Sequence, residues 1–233
     1  MRANALAIMA KAPKAGQVKT RLLPALSAKQ AAELCRALIK DQLEHLQTLT
    51  VADLYLAFTP AKAAPLVKQL APPPFRLICQ EGDDLGERMK RLFEHLRALG
   101  HKNIVLIGSD LPALPSLFFD EAYAYLQSPT ARAVLGPSRD GGYYLIGLNQ
   151  SLPQIFEAMA WSHDQVLEQT RVKLASLRID TLLLPLWFDI DTPDDLRRLK
   201  SQFDLDASLA KRMKHTAALL SGWELSGRQD RAG

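Results

Sequence analysis

Residues 5–24 read ALAIMAKAPKAGQVKTRLLP, an apolar run that stops at Lys11 and opens into a loop carrying Lys14, Gly16, Lys19 and Arg21 before Pro24. An uncharged run of this length is a buried strand, and its abrupt polar end marks where the strand leaves the core. A helical pattern follows from Ser27: Ser27 and Gln30 form a capping-box pair, and Ala31, Leu34, Cys35, Leu38 and Leu46 fall on one face. Strand, loop and helix in that order begin an α/β unit, and the alternation continues along the chain. Strand-like runs at 53–58, 76–80, 103–108, 131–135, 143–148 and 178–186 alternate with helical ones at 61–70, 85–99, 116–126 and 164–177, and a further helix starts at Thr192. The pattern predicts a Rossmann-like α/β fold, a mostly parallel sheet of about seven strands with helices on both faces. The run NIVLIG at 103–108, almost wholly apolar, is its central strand.

The totals agree with one ordinary globular core. Of 233 residues, 48% are hydrophobic and 23% charged, a balance that excludes a disordered chain. Residues 1–205 read as one domain and 206–233 as a helical extension ending in a polar tail. Two cysteines, Cys35 and Cys79, supply neither a disulfide framework nor a zinc motif. No apolar run approaches the roughly 20 residues of a membrane span, and the first is too short for a signal-peptide core, so the chain reads as cytoplasmic. The net charge is +4, yet residues 1–40 carry eight basic side chains against Glu33 alone. That local excess calls for an anionic partner. The segment has no aromatic residue on which a base could stack, which argues for a small phosphorylated ligand and against nucleic acid.

Ligands of open α/β sheets bind beyond the carboxyl ends of the parallel strands. The first loop brings Lys11, Gly16, Lys19 and Arg21 there, the 103–108 strand delivers Asp110, and the last strand delivers Asp189 and Asp191. Cations that neutralise phosphate oxygens, beside carboxylates that hold Mg2+ or Mn2+, are what phosphate chemistry needs. Gly16 allows close backbone approach, while Lys19 and Arg21 supply a point charge and a planar fork. Asp110 reads as a metal ligand because Ser116 suits the cap of the following helix. Asp189 and Asp191 lie on one side of an extended segment and either could reach the site; Asp191 is preferred. Asp140, Gly141 and Gly142 form a glycine-rich hairpin turn that could also face an acceptor. There is no Walker loop, dinucleotide fingerprint, nucleophile elbow or metal-spaced histidine pair; His45, His95, His101, His163 and His215 read as surface or helix-end residues.

MAKAPKAGQVKTRLLP, QEGDDLGERM, LIGSDLP, LGPSRDGGYYLIG and DIDTPDDL, in this order over roughly residues 5–200, resemble a bacterial family of glycosyltransferase-A-like proteins. That family is similar to the nucleotide-diphospho-sugar transferases, including phospholactate guanylyltransferase and the molybdenum-cofactor nucleotidyltransferases. The resemblance implies a sheet with one antiparallel strand, nucleotide on Lys11, Gly16, Lys19 and Arg21, metal on Asp110 and Asp191, and an acceptor beside Asp140–Gly142. Ser109 stands before Asp110 where sugar transferases of this fold carry a second aspartate, which is nearer the nucleotidyltransferase pattern.

The function expected from these readings is metal-dependent transfer from a nucleoside triphosphate or nucleotide-sugar to a small phosphorylated or sugar acceptor, with Lys19 and Asp110 in the catalytic roles. Two alternatives compete with it. One is a nucleotide-binding or sensing module without turnover. The other is a haloacid-type phosphatase, suggested by Asp189-Ile190-Asp191-Thr192, although that motif belongs at the start of its fold and here stands near the end.

Overall fold

The computed structural model describes residues 2–161 and 163–223. Seven strands form one sheet: β1 (Asn4–Lys11), β2 (Asp53–Thr59), β3 (Arg76–Cys79), β4 (Asn103–Gly108), β5 (Arg132–Pro137), β6 (Tyr143–Leu148) and β7 (Asp180–Leu183). Their order is β3-β2-β1-β4-β6-β5-β7, with β6 antiparallel to both neighbours and every other pair parallel. The chain steps outward from β1 to β3, then returns to lay β4 on the opposite side of β1. That reversal opens a crevice beyond the carboxyl ends of β1 and β4, where a ligand has room between diverging loops.

Both faces of β1 are buried. Leu6 and Ile8 pack under α1 (Ala28–Leu46), α2 (Ala64–Leu70) and α4 (Ser116–Leu126), while Ala5 and Ala7 face α3 (Leu85–Ala98) and α5 (Val166–Ser176). The capping box expected at Ser27 with Gln30 forms, and the helix expected from Thr192, α6 (Pro193–Leu205), starts with a second one between Thr192 and Asp195. Beyond it, α7 (Ala207–Arg212) and α8 (Lys214–Ser221) complete a third helical layer outside α1. Leu34 and Leu38, on the outer side of α1, join Leu196, Leu199, Leu209, Met213 and Leu220 in that layer's core. The boundary expected after residue 205 falls between α6 and α7, and the polar tail at 224–233 lies outside the described residues.

Three local expectations change. The last strand is shorter than 178–186, since its ladder stops before Pro185, which has no N–H to continue it. A single bridge between Ser138 and Trp187 carries the pairing on toward Asp189. Ser116 is the first helical residue of α4 and provides no side-chain cap; Pro115 precedes it. His101 is buried, with Nε2 2.7 Å from the Tyr55 hydroxyl and Nδ1 2.8 Å from the Arg2 carbonyl. A ring with a partner on each nitrogen is at home in a core, and sequence position alone did not reveal those partners.

Candidate functional site

The loop after β1 is built to turn one lysine inward. The Ala12 N–H donates to the Thr59 carbonyl at 2.8 Å, holding the loop's start against β2, and Gly16 makes the next turn with a φ of 75°. Lys19 follows with a φ of 50°, a left-handed conformation that costs a residue with a Cβ about 1 kcal/mol or more. Directly afterwards the turn at Thr20–Leu22 buries Leu22 completely in the third-layer core. Strained backbone on one side and an apolar anchor on the other fix the lysine's direction. Its side chain is 2% exposed, so the point charge expected beyond the strand ends is held inside the site and away from solvent.

The Lys19 ammonium meets three oxygens. Nζ donates to the Ile190 carbonyl at 2.6 Å and to Asp191 Oδ1 at 3.1 Å, and it lies 3.1 Å from Asp110 Oδ1. Burial works against its charge, but the Asp110 and Asp191 carboxylates outweigh that and hold its pKa above the ordinary lysine value. The acids themselves remain open, Asp110 at 43% exposure and Asp191 at 34%. Their segments are joined independently of the lysine, because the Ile190 N–H donates to the Asp110 carbonyl at 3.0 Å. Residues 19, 110 and 191, far apart in sequence, thus meet where β1 and β4 diverge.

Beside them lies a cavity of about 630 Å³, the size of a small-molecule site. Lys11, Lys19, Asp110, Asp189 and Asp191 line it, with Gln80 and Arg88 on the side of β3 and α3. Arg21 is exposed at the rim, its Nη1 3.7 Å from Asp191 Oδ2, too far for a firm hydrogen bond. Gly16 and the 140–142 turn are not among the lining residues. The turn's geometry is accounted for by the fold: Gly141 has a φ of 86°, a Cβ there would come within 2.0 Å of the Asp164 carbonyl oxygen, and its own carbonyl accepts the Leu167 N–H at 2.9 Å. The Gly142 N–H donates to Asp140 Oδ1 at 3.0 Å.

Asp189 and Asp191 divide clearly. Asp191 shares the lysine with Asp110, whereas Asp189 accepts a hydrogen bond from the Ser138 hydroxyl. Burial pushes the Asp189 carboxyl up to about 6; the Ser138 bond pulls the other way, and Asp140 and Asp191 add to the rise. Each of Asp110 and Asp191 spends one oxygen on Lys19 and keeps an outer oxygen without a hydrogen bond among the described residues. Two such oxygens suit a hard divalent ion that completes its shell with water and phosphate. Among the described residues no three His, Cys, Asp or Glu side chains converge closely enough to hold a metal by themselves.

Other lining residues were not singled out by the sequence. The Gln80 side-chain amide donates to the carbonyls of Ala10 at 3.2 Å and Ala57 at 2.7 Å, tying the ends of β1 and β2 together. Arg88 is steadied by the Gly82 carbonyl at 2.9 Å. Both lie in the stretch QEGDDLGERM, whose mixture of turn and charge was the available signal. Cys35 also lines the cavity, but burial pushes its thiol up to about 12, so it presents no thiolate at neutral pH.

Residues 42–163 match a family described as uncharacterized protein conserved in bacteria, DUF2064. The chain is also 32% identical to a candidate nucleotide-diphospho-sugar transferase from Desulfovibrio desulfuricans G20, with 97% of this chain and 100% of that one aligned at a TM-score of 0.84. This chain belongs to the DUF2064 family. Its fold is that of the nucleotide-diphospho-sugar transferases, and more distant solved structures share it. A cytidylyltransferase from Leptospira borgpetersenii serovar Hardjo-bovis is 13% identical, covering 97% of this chain and 100% of its own at a TM-score of 0.62. The 4-diphosphocytidyl-2C-methyl-D-erythritol synthase of Anaerococcus prevotii DSM 20548 is 11% identical, covering 87% and 97% at 0.56. No curated protein gives a match to this DUF2064 chain. No helix among the described residues is long and apolar enough to cross a membrane.

Proposed function

We propose that this DUF2064 protein is a metal-dependent transferase that takes a nucleoside triphosphate or nucleotide-sugar and passes the nucleotidyl or glycosyl group to a small phosphorylated or sugar acceptor. The observation that carries the reading is the pairing of Asp110 and Asp191 on one ammonium at the mouth of a cavity at the sheet's switch point. Structural relatives named for nucleotide-diphospho-sugar and cytidylyl transfer support transfer chemistry of this general class.

In this reading the outer oxygens of Asp110 and Asp191 hold Mg2+ or Mn2+, whose role is to offset charge on phosphate oxygens. The chain's own groups do the rest. Lys11 and Arg21 receive the phosphates, and the Gly16 turn shapes the loop that carries them. Gln80 holds the ends of β1 and β2 in register beside the bound nucleotide. The acceptor enters from the side of β6, where Asp140 and the Gly141-Gly142 turn support the Ser138–Asp189 pair. As a nucleotidyltransferase the protein would join an acceptor oxygen to the α-phosphorus and release pyrophosphate; as a glycosyltransferase it would join that oxygen to the anomeric carbon and release a nucleoside diphosphate. We place the protein in the cytoplasm, where its two unpaired cysteines would stay reduced.

The test is a thermal-shift panel of nucleoside triphosphates and nucleotide-sugars with Mg2+ or Mn2+, since a ligand that binds only the folded state raises its melting temperature. One donor class should give a metal-dependent rise of several degrees, and incubation with candidate acceptors should then release pyrophosphate or nucleoside diphosphate. Stabilisation without product points to a sensing module. No response to any donor would overturn the proposal.

A further inference from the structure

We infer that Lys19 is a built-in counter-ion standing in for a divalent metal, and that it leaves the Asp110–Asp191 pair only when the metal arrives with a phosphate-bearing ligand. This rests on the proposed metal-dependent transfer and specifies its order of assembly. An ammonium has three N–H donors, and here three oxygens occupy its surroundings: Ile190 O, Asp191 Oδ1 and Asp110 Oδ1. Nothing is left over for a phosphate while the lysine stays in this cradle. The sequence alone makes Lys19 a phosphate ligand from the outset, whereas the geometry makes it a carboxylate ligand first.

The charges set the order. A divalent ion drawn to the outer oxygens of the same two carboxylates would sit beside an ammonium that is already there, and two cations sharing one pair of acids repel. With a side chain 2% exposed, Lys19 does not leave for open solvent without a new anionic partner. A phosphate supplies that partner. The same phosphate supplies ligands that the metal lacks, since no third His, Cys, Asp or Glu among the described residues joins Asp110 and Asp191. Metal and phosphate therefore each remove the obstacle to the other's binding, which is positive coupling between two ligands.

Lys19 is not needed to keep the acids together. The backbone bond from Ile190 N–H to the Asp110 carbonyl joins their segments, and the Thr192–Asp195 capping box fixes the chain beyond Asp191. Removing the ammonium should leave two half-exposed carboxylates in place with only the loosely paired Arg21 beside Asp191, a better site for a lone divalent ion. A purely structural clamp would behave in the opposite way, with its loss separating the acids and weakening metal binding.

The test measures Mn2+ binding to the full chain by electron paramagnetic resonance at calibrated free Mn2+, alone and with pyrophosphate. The parent should bind Mn2+ weakly alone and at least tenfold more tightly with pyrophosphate. Lys19→Met should bind Mn2+ alone at least tenfold more tightly than the parent, and pyrophosphate should add less. Lys19→Gln, which keeps hydrogen bonding without charge, should follow Lys19→Met and covers the case in which the methionine variant fails to fold. Melting of the parent gives an independent reading: Mg2+ alone should leave the melting temperature nearly unchanged, while Mg2+ with pyrophosphate raises it. If the lysine variants bind Mn2+ no better than the parent, or pyrophosphate does not tighten Mn2+ in the parent, the counter-ion role is wrong although the metal site stands. If the parent binds no Mn2+ under either condition, the metal-dependent reading fails and this inference fails with it.

Discussion

Two aspartate constellations in this protein differ in what their oxygens do. Asp41, on α1, is 2% exposed, and both of its oxygens are taken: Oδ1 accepts the His215 N–H and Oδ2 the Thr216 N–H, each at 2.8 Å. It caps the start of α8 from another helix and fastens the third layer to the body. Asp110 and Asp191 are half-exposed, line a cavity, and spend one oxygen each on Lys19, leaving the other without a hydrogen bond among the described residues. A carboxylate whose bonds are complete is a structural staple. One left with free lone pairs and shared charge is available for a ligand.

This contrast can be broken first at the open pair. Asp110→Asn should weaken metal-dependent nucleotide binding by about 100-fold or more, roughly 2.7 kcal/mol, because a neutral amide neither attracts a divalent ion nor balances Lys19. Its melting temperature without ligand should fall by less than that of Asp41→Ala, because the Ile190 carbonyl and Asp191 still hold the buried Lys19 ammonium after Asp110 loses its charge. Asp41→Ala should do the reverse, costing about 2 to 3 kcal/mol through two lost charge-assisted bonds at a helix start, and leaving Mn2+ affinity unchanged. In a chain of this length that corresponds to a fall of roughly 5–10 °C in thermal melting. An Asp41→Ala variant with parental stability, or an Asp110→Asn variant with parental binding, would erase the distinction.

Asp189 sharpens it. Its carboxyl is pushed up to about 6, above the value of an unfolded aspartate, so the folded state favours the protonated form. The stability this gives is present in full below about pH 4, falls as pH rises through about 6, and is absent above. Asp189→Asn, which mimics the protonated form, should therefore be more stable than the parent at pH 8 by about 2 kcal/mol and equal to it at pH 4, as read by denaturant melts at the two pH values. The smallest change is expected from Arg21→Ala. The Arg21 side chain is 62% exposed and only loosely paired, so nucleotide affinity measured by calorimetry should fall about fivefold, by roughly 1 kcal/mol.

The sequence made the scaffold readable because local signals and the fold agree. The seven strand-like runs, the Ser27–Gln30 capping box, the helix start at Thr192 and the position of Asp110 after β4 follow from periodicity and turn chemistry over a few residues. The family resemblance implies one antiparallel strand without naming it, and the structure shows that it is β6; an apolar strand buried on both faces does not announce its direction. What was hidden depends on contacts between distant segments. The inward turn of Lys19 requires a left-handed backbone and a carbonyl at position 190, and no run of neighbouring residues encodes either. The burial of His101 by Tyr55 and the capping of α8 by Asp41 are hidden for the same reason. Gly141 was read as a possible ligand contact because a glycine required by packing against Asp164 and one required by a substrate look alike in sequence.

Crystals grown with Mn2+ and a nucleoside triphosphate, measured for manganese anomalous scattering, address the shared role of Asp110 and Asp191 most directly. The account expects one strong peak bound by an oxygen from each of the two, with the Lys19 ammonium moved onto a phosphate. A manganese ion elsewhere in the cavity, with Lys19 still bridging both carboxylates, would contradict it.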